Sequence, residues 1–104
     1  LSETIKLLKT QDKSIDTAMF YMSDHGESLG EGGFYLHGIP YFIAPDNQKH
    51  VSSAVWFSKN YPIDTELTKK NSDNEFSHDN LFSTLLGLFN VQTSVYDLNK
   101  DMFR

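Results

Sequence analysis

Apolar residues in "LSETIKLLKT" fall at Leu1, Ile5 and Leu8, with Leu7 beside them, at three- and four-residue spacing, and Ser2 and Glu3 stand near the start. That period predicts an amphipathic helix, closed by the polar residues 11–14. The pattern then changes. Residues 16–23, "DTAMFYMS", are a short apolar run with aromatics, bounded by polar residues, and its near-continuous hydrophobicity predicts a strand buried on both faces. A second strand is predicted over 51–58, "VSSAVWFS", with Val51, Val55 and Trp56 as core. Between them, Pro45 and Asp46 can open a single helical turn. "YPIDTELTKKNSDNE" reads as a short helix and a surface loop. In "SHDNLFSTLLGLFN", Ser77 is an N-cap candidate with Asn80 three residues on, and Leu81, Phe82, Leu85, Leu86 and Leu88 form a broad apolar helical face. Trp56, Phe57, Phe82 and Phe89 are expected to fill the core. The tail, "VQTSVYDLNKDMFR", shows no clear period.

Helix followed by strand points to an α/β fold, and 104 residues amount to one domain or part of one. The chain starts without Met, in what reads as mid-helix, which suggests a segment of something longer. No apolar run reaches the ~20 residues of a bilayer span and no signal peptide is evident, so the segment itself is expected to be soluble. Nine Lys and Arg are scattered singly against fourteen Asp and Glu. A net charge of −5 without a basic stripe argues against nucleic acid and anionic lipid as partners. There is no Cys, hence neither a disulfide framework nor a thiolate metal site.

Chemistry concentrates behind the first strand. "YMSDHGESLGEGG" runs from Tyr21 to Gly33, and Gly26, Gly30, Gly32, Gly33 and Gly38 make the surrounding stretch irregular. Three site chemistries compete for it. Gly30 and Gly32 begin a dinucleotide fingerprint, but Tyr35 stands where the third glycine belongs and Glu31 would face a pyrophosphate. Gly26-Glu27-Ser28-Leu29-Gly30 matches the G-x-S-x-G nucleophile elbow, with Asp64 and His78 downstream in the permitted order. An elbow must run into a helix, however, and "EGGFYLHG" is too glycine-rich to propagate one at roughly 1 kcal/mol per Gly. The third chemistry is a metal site. Asp24 and His25 leave the strand end together, their oxygen and nitrogen donors suit Zn²⁺ or Mn²⁺, and His37 could return to the same cleft across the glycine loop. A turn and surface pair would show the same spacing, so spacing leaves this undecided. His50 reads as a surface residue, and His78 with Asp79 as helix initiation.

The wording is more specific than the spacing. "SDHGESLGE", "YLHG", "PYFIAP" and "HDNLFSTLLGLFNVQT" together resemble the C-terminal part of the lipid A phosphoethanolamine transferases, members of the alkaline phosphatase and sulfatase superfamily. The resemblance runs from about Leu1 to Tyr96. It implies that residues 1–104 are a C-terminal segment of one sulfatase-like catalytic domain, an α/β/α sandwich on the periplasmic face of the bacterial inner membrane behind a transmembrane domain absent here. It implies transfer of phosphoethanolamine from phosphatidylethanolamine to lipid A through a phosphorylated threonine, a lipopolysaccharide modification that confers polymyxin resistance. Asp24 and His25 would be ligands of Zn²⁺, and His37 a catalytic residue beside the transferred phosphate or a second zinc. Glu27 falls nearby without an assigned ligand role, and Ser28 becomes a loop residue that hydrogen-bonds locally. The family's threonine nucleophile, its upstream glutamate ligand and a further histidine have no counterpart here, so this segment alone is expected to be inactive. The cysteines of many members are absent too, and Ser52 stands where many carry Pro. A sulfatase-like or phosphoglycerol-transferring hydrolase would share the Asp-His pair, and a non-catalytic structural or interaction domain would use the loop only as a polar turn.

Overall fold

The computed structural model describes residues 1–11 and 14–104, in two compact units, Leu1–Tyr61 and Pro62–Arg104. Helices and strands are mixed along the chain, as the α/β reading expects. Among the described residues no helix is long and apolar enough to cross a membrane.

In the first unit, α1 spans Ser2–Lys9 and half-buries Ile5 and Leu8, two of the residues chosen by the period. Leu1 and Leu7 are exposed. The polar residues 12 and 13 of the predicted helix end lie outside the described residues. Strand β1, Ala18–Met22, carries the predicted apolar run, and β4, Ser53–Phe57, the second. They pair antiparallel, with Ala18 opposite Phe57, Phe20 opposite Val55 and Met22 opposite Ser53. Backbone bonds extend the ladder at both ends, from Ser58 N to the Thr17 carbonyl at 2.8 Å and from Ser23 N to the Ser52 carbonyl at 3.0 Å. The buried Ser58 hydroxyl accepts from Thr17 N at 3.0 Å. These bonds fix where β1 stops, and so where Asp24 and His25 emerge.

The expectation of a strand buried on both faces is corrected. Ala18, Met19, Phe20 and Met22 are half-buried and Tyr21 is 39% exposed. Among the described residues each of the two strands has one bonded neighbour, and nothing covers both faces of β1. Val51, Val55 and Trp56 are likewise half-buried.

Between β1 and β4 the chain makes a tight hairpin of β2, Ser28–Leu29, and β3, Tyr35–Leu36, which pair antiparallel around a 3₁₀ turn at Glu31–Gly33. The turn needs its glycines: Gly30 and Gly32 have φ of 121° and 63°. A single helical turn, α2, follows at Asp46–Lys49 with Pro45 as its N-cap, where the Pro-Asp pair predicts it.

In the second unit, α3 spans Thr65–Asn71, and the Asp64 carboxylate caps it by accepting from Leu67 N at 2.9 Å. Ser77 and Asn80 form a reciprocal capping box: the Ser77 hydroxyl accepts from Asp79 N at 3.2 Å, and Asn80 Oδ1 accepts from Ser77 N at 3.0 Å. One 3₁₀ turn, His78–Asn80, then leads into α4, Leu81–Leu88.

The predicted buried face of α4 is corrected in part: Leu81, Leu86 and Leu88 are half-buried. The helix buries Ser83, Thr84 and Gly87, whereas Phe82 is 59% and Phe89 76% exposed and Leu85 stands at the surface. The tail covers the small-residue side. Residues 97–104 return onto the small-residue side of α4, where a backbone approaches closely only if side chains are short. The buried Thr84 hydroxyl donates to the Asn80 carbonyl at 2.7 Å and accepts from Met102 N at 3.0 Å. Asp101 occupies the space left by the missing side chain of Gly87. Its carboxylate accepts from the Tyr96 hydroxyl at 2.8 Å and from Phe103 N at 2.9 Å. Arg104 Nη2 donates to the Gly87 carbonyl at 3.0 Å. Met102 and Phe103 are buried, so the part of the chain without a readable period holds the core of this unit.

Candidate metal centre

Asp24 and His25 leave β1 in a turn that aims both side chains. Ser23 Oγ donates to the His25 carbonyl at 2.8 Å, and Asp24 Oδ1 accepts from the His25 backbone amide at 3.1 Å. His25 Nδ1 lies 2.9 Å from the Gly26 carbonyl. A carbonyl only accepts, so in the neutral ring Nδ1 carries the hydrogen and Nε2 keeps its lone pair. That Nε2 faces Asp24 Oδ2 at 3.9 Å.

Two acceptor atoms facing each other call for a cation or a proton between them. Donors on one tetrahedral zinc at Zn–N and Zn–O lengths of about 2.0–2.1 Å sit roughly 3.4 Å apart. A side-chain adjustment of about half an ångström brings Oδ2 and Nε2 to that separation. The imidazole already has the Nδ1–H···O=C bond that orients histidine ligands. The pair therefore fits a divalent ion as a partial donor set. Among the described residues no group of three or more His, Asp or Glu side chains completes it.

His37 does come back across the glycine loop. Its ring stacks on that of His25, with centroids 3.9 Å apart and planes inclined by 27°. Leu36, just before it, has φ of 65°, a left-handed conformation that costs a non-glycine residue about 1–2 kcal/mol. Gly38, just after it, has φ of 91°. His37 is thus turned toward His25 by backbone that would not adopt this shape unaided. Glu27 Oε1 lies 4.0 Å from His37 Nδ1. The side chains of His25, His37 and Glu27 are each about half exposed, which leaves room for a ligand.

The other motif readings resolve differently. Ser28 is 1% exposed, stands at the start of β2 and accepts from Gln48 Nε2 at 2.8 Å. An elbow serine stands exposed on a strand-to-helix turn, and Ser28 does neither. His50 is exposed at the end of α2, and His78 lies in the capping turn of the second unit. Gln48 carries no signal in the sequence beyond its place in the turn after Pro45, yet it reaches the site loop twice, through Ser28 and through its carbonyl, which accepts from Gly26 N at 3.3 Å.

Glu31 pins the far end of the hairpin. Its Oε2 accepts from Leu29 N at 2.7 Å. Hydrogen bonds from its own backbone amide, then from that of Leu29, hold its carboxyl below the usual carboxylate range. A depressed pKa means that the ionised form is favoured in the folded loop, so its stabilising effect is present above the ordinary value of 4.5 and is lost as pH falls through the lowered one. The Leu29 amide resonance is expected to show an inflection below that value that vanishes in Glu31→Gln. An unchanged inflection in the variant contradicts the assignment.

The sulfatase family profile matches residues 1–91. The phosphoethanolamine transferase EptA of Salmonella typhimurium is 49% identical over 109 residues, covering 100% of this chain and 20% of the transferase. The C-terminal periplasmic domain of phosphoethanolamine transferase EptC from Campylobacter jejuni superposes with a TM-score of 0.88 at 53% identity, over 97% of this chain and 32% of that one. The soluble domain of lipooligosaccharide phosphoethanolamine transferase A from Neisseria meningitidis gives 0.91 at 41% identity, over 98% and 32%. The chain spans about a fifth of the length of the curated relatives it matches. With an α/β fold shared with these periplasmic domains and a profile match over most of its length, the chain belongs to the sulfatase family.

Proposed function

We propose that this chain is the C-terminal segment of the catalytic domain of a zinc-dependent phosphoethanolamine transferase, taking phosphoethanolamine from phosphatidylethanolamine and placing it on lipid A at the periplasmic face of the bacterial inner membrane. The observation that carries the reading is the convergence of Asp24 Oδ2 and the bare Nε2 of His25, with His37 stacked alongside, in a chain 49% identical to a phosphoethanolamine transferase.

Asp24 and His25 hold the zinc in this reading, and the nucleophile and remaining ligands come from elsewhere in the protein. Bound zinc supplies Lewis-acid activation of a hydroxyl and neutralises charge on the phosphoryl group. His37 serves the phosphate directly. With Nδ1 turned toward the Glu27 carboxylate, its ring is poised to donate a hydrogen bond or proton to a phosphoryl or leaving oxygen. Glu27 sets its carboxylate beside that ring, 4.0 Å from Nδ1.

The test is lipid A mass spectrometry from a Gram-negative host expressing the full-length protein, with the headgroup of phosphatidylethanolamine isotopically labelled. The expected product is lipid A carrying labelled phosphoethanolamine, accompanied by tolerance to polymyxin. Unmodified lipid A overturns the acceptor. Transfer of phosphoglycerol, or sulfate-ester hydrolysis by the purified protein, moves the assignment to another member of the family.

A further inference from the structure

We propose that Gln48 is a positioning residue for the Asp24–His25 site, acting through Gly26 and Ser28; the inference rests on the zinc reading above. One residue of α2 grips the site loop at two points that bracket Glu27. The Gln48 backbone carbonyl accepts from Gly26 N at 3.3 Å, and its side-chain Nε2 donates to Ser28 Oγ at 2.8 Å. Ser28 is buried, so water does not replace that bond. The neighbouring Asn47 adds to the grip: its carbonyl fills the space a Cβ on Gly26 would need.

The grip bears on the site because of what Gly26 does. Its carbonyl is the acceptor for His25 Nδ1, the bond that leaves Nε2 bare and aimed at Asp24. If the Gly26 peptide rotated, the imidazole would be free to turn and Nε2 would leave its partner. A loop with this many glycines has little rigidity of its own, so its geometry has to be imposed by a supporting element. Ser28 and Gly26, each tied to Gln48, also fix the ends of the segment that holds the Glu27 carboxylate 4.0 Å from His37. Gln48 thereby sets the aim of a proposed ligand and of the carboxylate beside the proposed catalytic histidine while serving as neither.

The experiment uses the full-length protein with Gln48→Met, which keeps side-chain length and packing but removes the donor, Ser28→Ala, which removes the acceptor, and the double variant. Zinc affinity is measured by chelator competition and ligand geometry by the visible absorption of the Co²⁺-substituted protein. Each single variant is expected to weaken zinc about tenfold and shift the Co²⁺ bands, as loss of a ligand-orienting contact does. The double variant is expected to be no weaker than the singles, because all three break one bond. The melting temperature of the metal-free protein stays within about 2 °C of wild type. Wild-type affinity and spectrum in both singles, with Asp24→Ala still losing zinc, overturn the role of Gln48 and leave the zinc reading standing. A matching fall in metal-free melting temperature assigns Gln48 to folding and overturns it too. A wild-type protein that takes up neither metal at Asp24 and His25 overturns the zinc reading and this inference together.

Discussion

The double variant Asp24→Ala/His25→Ala of the full-length protein is expected to lose its zinc and to transfer phosphoethanolamine at roughly one-thousandth of the wild-type rate. The two side chains are adjacent, leave the same strand end and face each other across 3.9 Å, so they act on one ion or on none. In the proposed reading, removing both takes away two of the four donors that a tetrahedral zinc needs. The rate estimate follows from the scale of preorganised electrostatic stabilisation, in which loss of a single hydrogen-bond donor to the transition state already costs about 10²–10³. His37 remains, so residual turnover reports what the histidine does alone. Asp24→Asn separates charge from shape: it keeps the acceptor oxygen and removes the anion. Elemental analysis and a lipid-transfer assay check the result, and full zinc occupancy or a rate within about tenfold of wild type would sink the metal assignment.

Gly87→Ala is expected to destabilise the second unit by about 3 kcal/mol, at the upper end of the cost of overpacking a well-filled core. A Cβ at this position would overlap the Asp101 carboxylate, which is 5% exposed. Asp101 cannot move aside cheaply. Its oxygens accept from Tyr96 and Phe103 N, and Arg104 Nε lies 3.8 Å away, so displacement would leave buried polar groups without partners. Burial and the hydrogen bond to Asp101 push the Tyr96 phenol above its ordinary value, so it remains a donor to that carboxylate at neutral pH. Denaturant unfolding of the variant measures the loss, and a change below about 0.5 kcal/mol contradicts the close approach of tail and helix.

The same helix shows where the sequence was readable and where it was not. The capping box at Ser77 and Asn80 is local chemistry, complete within four residues, and it forms as the spacing predicts. Which side of α4 packs against the tail is not local. Leu81, Phe82, Leu85, Leu86 and Leu88 make the stronger hydrophobic pattern, yet the tail approaches the side bearing Ser83, Thr84 and Gly87 because backbone-to-backbone packing selects small residues. The only trace of this in the sequence is the spacing of those three small residues, which an apolar count passes over. The tail itself lacks a period because it folds through turns and side-chain hydrogen bonds instead of a regular helix or strand.

The candidate metal centre divides in the same way. Asp24 and His25 stand out as a pair at a strand end, and the glycines that follow permit His37 to return, which its ring does against His25. What spacing could not supply is aim. That comes from the Gly26 carbonyl under His25 Nδ1, from the left-handed Leu36 before His37 and from Gln48 under the loop, each a consequence of tertiary contact. The elbow match at Ser28 fails for the complementary reason: the motif is present, but the fold buries its hydroxyl beneath a glutamine.

Anomalous diffraction at the zinc absorption edge from crystals of the full-length protein tests most directly whether Asp24 and His25 are ligands of one zinc ion. The expected result is a peak at about 2.0–2.1 Å from the Asp24 carboxylate and from His25 Nε2. Zinc bound elsewhere with both side chains unliganded, or an ion coordinated through His25 Nδ1, would contradict it.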